Sequence, residues 1–267
     1  MKTLTILIDG KKYQAEEGEP VLKVARREGI DIPNLCYHEA LTPYGSCRLC
    51  IVEVIAGAPK GLTTSCTLAA RDGIEVKTDT QEIREIRKAL LELYLAEAPG
   101  SEYIRELAAK YGVTESRFAR KLEPEELENK CVLCGLCVRV CNEIIGVGAI
   151  NYIGRGPNTK VNTPYLEPSS KCIGCGACAY VCPTDAIKIA DIAGERVMET
   201  WSETAVPLKR CKVCGKYFAP EPLSEVVYDR FPDLADDLRG LCPDCRRKLN
   251  SRKVFLAATG RMIEGER

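Results

Sequence analysis

Eight cysteines in the middle of the chain obey one spacing rule twice: Cys131-x2-Cys134-x2-Cys137-x3-Cys141, then Cys172-x2-Cys175-x2-Cys178-x3-Cys182 followed by Pro183. Three thiolates this close can converge on one iron–sulfur cube from a single tight turn, while the fourth of each run reaches the neighbouring cube. The crossed rule groups Cys131, Cys134, Cys137 and Cys182 as one four-ligand set, and Cys172, Cys175, Cys178 and Cys141 as the other. Gly135, Gly174 and Gly176 give the backbone freedom such turns need, and the fourth cysteine of each run is expected to begin a helix. The chemistry is one-electron transfer. Disulfides or zinc sites account poorly for two successive matches to one rule.

Eight of the sixteen cysteines remain, and they fall into two further quartets. Cys36-x10-Cys47-x2-Cys50-x15-Cys66 places a close pair between two distant thiolates. This is the logic of a 2Fe–2S site with a longer first gap than the plant-type pattern. Cys211-x2-Cys214 and, after a spacer, Cys242-x2-Cys245 are paired knuckles that suit a closed, tetrahedral structural zinc site, with a further iron–sulfur cluster as the alternative. Lys209, Arg210, Lys212, Arg246, Arg247 and Lys248 give this region some of the character of a nucleic-acid ribbon, but Asp229, Asp233, Asp236 and Asp237 lie between the knuckles. The basic residues read as a solvated face or a contact with a partner protein. His38, the only histidine, cannot make a Rieske-type site, which needs two, and reads as a surface loop residue.

Several functions are excluded by what accompanies these thiols. The 38 basic and 38 acidic side chains cancel, leaving no electrostatic footprint for nucleic acid or an anionic membrane. No apolar run is long enough to span a bilayer. The chain opens on a strand-like stretch without a signal segment, and many thiols in a reducing compartment are metal ligands, so a cytoplasmic location is expected. No G-x-G-x-x-G follows a strand, no P-loop is present, and no acid–base pair or open metal site is visible, so catalytic residues are expected to be absent.

The elements that must hold the ligands can be read around them. Thr3–Ile8, Asp9-Gly10 and Lys11–Ala15 form a hairpin signal. A helix follows, with Pro20 in its first turn, Val21, Leu22, Val24 and Ala25 buried, and Gly29 ending it. Residues 67–130 contain neither cysteine nor histidine. There Ile83, Ile86, Leu90 and Leu93 mark the apolar stripe of one helix, and a Ser101-capped helix carries Ile104, Leu107, Ala108 and Tyr111. Gly154-Arg155-Gly156-Pro157-Asn158 reads as a turn between short strands, and Trp201 as a packing anchor before the last module.

Tyr44-Gly45-Ser46-Cys47-Arg48-Leu49-Cys50-Ile51-Val52-Glu53-Val54 resembles the 2Fe–2S domain of complex I's large iron–sulfur subunit, also similar to domains opening iron-only hydrogenases and diaphorase subunits of NAD-reducing hydrogenases. Cys131 to Glu143, with Asn142 where free ferredoxins have proline, and Cys182-Pro183-Thr184-Asp185-Ala186-Ile187 extend the resemblance to about residue 190. Members commonly carry a cluster held by one histidine and three cysteines between the two modules; residues 67–130 cannot supply it. The resemblance implies an α+β chain. A β-grasp 2Fe–2S ferredoxin domain spans 1–78, a helical connector 79–128 and a two-4Fe–4S ferredoxin domain 129–195; beyond the resemblance, the knuckle spacing sets a zinc-ribbon-like module at 205–250, with one zinc. The resemblance implies one 2Fe–2S cluster and two 4Fe–4S clusters, in an electron-relay subunit of a soluble NAD(P)-linked oxidoreductase. Its implied partners are a flavin- and NAD(P)-binding iron–sulfur subunit and a catalytic hydrogenase. The alternative to the hydrogenase would be a formate dehydrogenase or a tungsten or molybdenum aldehyde oxidoreductase. A non-redox scaffold, and a stand-alone iron-only hydrogenase for which the chain is too short, are the readings from other classes.

Overall fold

A computed structural model describes residues 2–118, 121, 123–231 and 239–259, with side chains to residue 252. Two compact units divide the chain: residues 1–146, 156–161 and 177–186 form the first, and residues 147–155, 162–176 and 187–267 the second.

In the first unit, β1 (Thr3–Ile8) and β2 (Lys11–Glu16) form an antiparallel hairpin. Asp9 and Gly10 at its tip both take positive φ, as the tight turn favoured by twisted strands requires. Alternation along β1 sends Leu4, Ile6 and Ile8 inward. They meet α1 (Val21–Arg27), whose buried residues are Val21, Leu22, Val24 and Ala25. Gly29, in the left-handed conformation, ends this helix. β3 (Ile51–Ala56), β4 (Gly61–Thr64) and β5 (Glu75–Lys77) complete a mixed sheet ordered β2-β1-β5-β3-β4, in which only β1 and β5 are parallel.

The stretch without cysteine or histidine folds as α2 (Gln81–Glu97) and α3 (Glu102–Lys110). Thr80 and Ser101 cap them by accepting hydrogen bonds from the backbone N–H of Ile83 and Ile104. The buried face of α2 differs from the expected stripe of Ile83, Ile86, Leu90 and Leu93: Ile83, Arg87 and Leu91 are buried, and Leu93 is 47% exposed. Ile86 and Leu90 are half-buried, Leu90 packing on an apolar cluster, and Arg87 shares the buried face because its guanidinium finds acceptors inside. Gly100 follows, with room for no side chain, since a Cβ would stand 2.4 Å from the Glu128 carbonyl oxygen.

The short helix α4 (Pro124–Leu127) opens with a capping box between Glu123 and Glu126. α5 (Leu136–Arg139) continues into a π-helical turn over Val140–Ile145. Short strands β6 (Asn151–Ile153) and β7 (Lys160–Asn162) flank the Gly154–Asn158 turn, and α6 (Ala177–Tyr180) ends just before Cys182. The fourth cysteine of each run therefore does not open a helix: Cys141 lies within the π turn and Cys182 follows α6. The third cysteine, whose sulfur must point back to the same turn, occupies the helix start instead.

In the second unit β8 (Ala190–Ile192), β9 (Glu195–Met198), β10 (Thr204–Arg210) and β11 (Tyr217–Pro220) form an antiparallel sheet ordered β11-β10-β9-β8. Trp201, 3% exposed, sits in the β9–β10 connection, where its carbonyl accepts from Thr204. α7 (Glu221–Arg230) and α8 (Pro243–Thr259) follow. Asp233, Asp236 and Asp237 lie outside the described residues. No helix among the described residues is long and apolar enough to cross a membrane.

Candidate metal centres

None of the sixteen cysteines is joined in a disulfide. Cys36, Cys47, Cys50 and Cys66 are buried at one end of the mixed sheet, where the loop before β3 meets the turn after β4. Arg48, at φ 59°, and Gly45, at φ 70°, curl the loop so that backbone N–H groups face the sulfurs. The N–H of Leu35 donates to Cys47 Sγ at 3.4 Å, and that of Cys47 donates to Cys36 Sγ at 3.3 Å. Cys47 is lowered to about 6, first by the hydrogen bond from Cys36 and then, against burial, by the N–H of Leu35. Cys50 is lowered to about 7 chiefly by Cys66, while Cys36 and Cys66, the proton-keeping partners, are pushed up. Four crowded, buried thiols that cannot all keep their protons are a good donor set for a metal cluster, whose positive charge replaces those protons.

α2 braces this site from behind. Arg87 is 2% exposed and donates to the carbonyls of Leu49 (3.0 Å) and Ile51 (2.9 Å), on either side of Cys50, and to the Tyr111 hydroxyl. Tyr94 donates to the Cys47 carbonyl at 3.1 Å. Ser65 closes the other side, with both its N–H and its hydroxyl on the Cys50 carbonyl. Neither Arg87 nor Tyr94 was legible as a site residue; the one signal was an arginine at the i+4 position from a buried isoleucine.

The next run begins where Asn129 ties it to the end of α2, donating to the Glu97 carbonyl while accepting from the N–H of Cys131. Leu133 at φ 52° and Gly135 at φ 75° make the turn; Gly174 and Gly176 stand at the matching places of the second run with φ 66° and 75°. A leucine thus adopts the left-handed conformation that the second run gives to glycine. Burial pushes Cys131 up and Cys134 up to about 12, opposed by the N–H groups of Leu133 and Leu136, and the nearby Cys182 raises both further. The sulfur of Cys182 accepts from the N–H of Ala186 at 3.4 Å. Arg139, within that run, pairs with Glu143 at 2.8 Å, donates to the Thr42 carbonyl and lies over the ring of Tyr44.

One apolar cluster contains Cys36 and Cys47 from the first quartet together with Leu35, Leu49, Leu91 and Val132, with Cys134 and Tyr94 packed against it. The structure brings these two cysteine sets together. In the second run Cys178 belongs to the first unit and Cys172 and Cys175 to the second. The loop carrying Cys172 and Cys175 is held by Arg196 of β9, which donates to the Gly174 carbonyl at 3.0 Å and pairs with Asp191. His38 is half-buried, accepts from the N–H of Ala40 and meets Tyr180 edge to face at 6.4 Å.

Near the C-terminus the Sγ atoms of Cys211, Cys214, Cys242 and Cys245 all lie within 4.8 Å of one another, the only such group found among the described residues. Cys214 and Cys242 are 3.7 Å apart. Cys211 is lowered to about 6 by the backbone N–H groups of Cys214 and Cys242, and Cys245 is pushed up to about 12 by burial and the neighbouring thiols. Leu241, Phe218 and Leu249 complete a small core around them.

Sites of this kind define a thiolate-rich metalloprotein with several metal centres. Residues 1–81 match the family described as 2Fe-2S iron-sulfur cluster binding domain, and residues 130–186 that described as 4Fe-4S dicluster domain. The chain is 30% identical over 203 residues to the mitochondrial NADH-ubiquinone oxidoreductase 78 kDa subunit of Neurospora crassa, covering 68% of this chain and 27% of the relative. It is 29% identical over 203 residues to the NADH-ubiquinone oxidoreductase 75 kDa subunit of Reclinomonas americana, covering 69% and 29%. A crystal structure of an NAD+-reducing NiFe hydrogenase in the H2-reduced state aligns at a TM-score of 0.51 and 32% identity, covering 60% of this chain and 75% of the other. The chain belongs to the iron–sulfur protein family that these proteins represent, with a 2Fe–2S domain first and a 4Fe–4S dicluster domain after it. It spans less than a third of the length of these curated relatives.

Proposed function

We propose that this chain is the iron–sulfur relay of a multisubunit NAD(P)-linked oxidoreductase, passing single electrons between a flavin- and NAD(P)-binding subunit and a second catalytic subunit, with a hydrogenase before other candidates. The observation that carries this reading is the shared apolar cluster of Cys36, Cys47 and Cys134. It supports direct exchange between two cysteine sets although residues 67–130 offer no ligand for an intermediate centre.

In this reading residues 1–78 hold a 2Fe–2S cluster through Cys36, Cys47, Cys50 and Cys66. Residues 129–195 hold one 4Fe–4S cluster through Cys131, Cys134, Cys137 and Cys182, and a second through Cys172, Cys175, Cys178 and Cys141. The connector, 79–128, braces the first site. When bound, such clusters supply reversible one-electron chemistry. The protein's own contribution is burial, which disfavours extra negative charge, and N–H donors on sulfur, which favour it; the balance sets the potential.

The C-terminal module, 205–250, is assigned zinc. Four sulfurs sharing one metal at about 2.3 Å lie on tetrahedron edges of about 3.8 Å, which the 3.7 Å between Cys214 and Cys242 matches. In a cube each sulfur binds a separate iron, so the sulfurs must stand farther apart. Its role is architectural, because four protein thiolates leave no open position.

Metal analysis of anaerobically purified protein tests the whole assignment: about 10 iron atoms and about one zinc per chain are expected. About 14 iron atoms without zinc would move the last four cysteines to a further cluster. Iron near zero, with a folded chain, would overturn the relay.

A further inference from the structure

We propose that Tyr94 is a positioning residue for electron exchange between the 2Fe–2S cysteine set and the first 4Fe–4S set: its ring fills the seam between Cys47 and Cys134, and its hydroxyl fixes the Cys47 peptide. The inference rests on the relay reading and deepens it.

Three observations converge on this side chain. Tyr94 projects from the last turns of α2, in the stretch that lacks any cysteine or histidine, so the seam has no metal of its own to span it. Its hydroxyl reaches the Cys47 carbonyl at 3.1 Å. That carbonyl precedes Arg48, whose positive φ turns the loop, so the hydrogen bond holds the conformation that aims the Cys47 N–H at Cys36 Sγ. Its ring packs on the same apolar cluster as Cys36, Cys47, Cys134 and Val132.

The surroundings of the phenol agree with this position. It is pushed up first by burial and then by the nearby cysteines Cys47, Cys36 and Cys134, drawn from both sets. A buried tyrosine with a satisfied hydroxyl is often no more than packing. What distinguishes Tyr94 is that the group it holds belongs to a proposed ligand residue and that its ring packs on the one apolar cluster against which Cys134 of the other set also packs. A ring there excludes water, and both spacing and dryness govern the coupling and the potentials of the centres on either side.

The test uses the full-length protein with its clusters, purified anaerobically, and follows the 2Fe–2S paramagnetic signal during a redox titration. In the wild-type protein this signal is expected to broaden or split when the 4Fe–4S centres become reduced, the mark of a near magnetic neighbour. Tyr94→Phe keeps the ring but loses the bond to the Cys47 carbonyl, so it should keep the splitting and lower the 2Fe–2S midpoint, because the N–H donated to Cys36 Sγ is held less firmly. Tyr94→Leu opens the seam to water; at unchanged iron content it should weaken the splitting and shift the 2Fe–2S midpoint upward, because water stabilises the more negative reduced form. An unsplit wild-type signal overturns the inference and leaves the relay reading intact. So does a Tyr94→Leu protein with wild-type splitting and midpoint. Absence of reducible 2Fe–2S and 4Fe–4S signals from the wild type overturns both.

Discussion

Replacing Arg87 by alanine should destabilise the first unit more than any exposed charge change on the same helix. The guanidinium is 2% exposed and satisfies two buried carbonyls, those of Leu49 and Ile51, with bonds of 3.0 and 2.9 Å. An orphaned buried carbonyl costs about 1–3 kcal/mol, so two of them cost about 4 kcal/mol. At about 2–4 °C per kcal/mol for a domain of this size, the melting midpoint should fall by roughly 10 °C. Because Leu49 and Ile51 flank Cys50, bleaching of the 2Fe–2S absorbance should move with the loss of circular dichroism. Arg87→Lys should recover only part of the loss, since an ammonium cannot reproduce the planar fork that reaches both oxygens. Arg84→Ala is the control. Its partner Asp79 is about half exposed, and the pair should be dispensable. The assay is an anaerobic melt of the cluster-loaded proteins at one scan rate. A fall of under about 2 °C for Arg87→Ala would refute the claim that those carbonyls depend on it.

Crossed ligation predicts that Cys182→Ala damages the cluster of Cys131, Cys134 and Cys137, and that Cys141→Ala damages that of Cys172, Cys175 and Cys178; paramagnetic resonance should show different surviving signals, and local, uncrossed loss would reverse the assignment. The pure chain should neither oxidise NADH nor evolve hydrogen, whereas in its complex Cys182→Ala should stop electron flow from NADH to the second catalytic subunit and spare NADH oxidation by an artificial acceptor. Gly57→Ala should cost about 1–3 kcal/mol in a denaturant titration, because its Cβ would stand 2.4 Å from the Gly73 carbonyl oxygen at a φ of +77°; an unchanged midpoint would mean the 57 and 73 turns can separate freely.

The amino-acid order alone determined the kind of chemistry. Ligand spacing is local: Cys131, Cys134 and Cys137 stand three residues apart, as do the two cysteines of each C-terminal knuckle, so residue types and gaps were enough to propose the sets. The hairpin through Asp9-Gly10, the buried face of α1 and the caps at Ser101 and Gly29 were equally legible, because each depends on a few consecutive residues. Tertiary structure decided what lies between the sites. The burial of Arg87 while Leu93 of the expected stripe stays exposed follows from the Leu49 and Ile51 carbonyls that accept its guanidinium, which no helical periodicity encodes. The left-handed Leu133 carries no sequence mark, since leucine rarely adopts that conformation unless its neighbours impose it. The packing of Cys134 and Tyr94 on the apolar cluster that holds Cys36 and Cys47 joins residues far apart along the chain. Such non-local contacts are fixed by how the helix packs on the sheet, and only folding the whole unit reveals them.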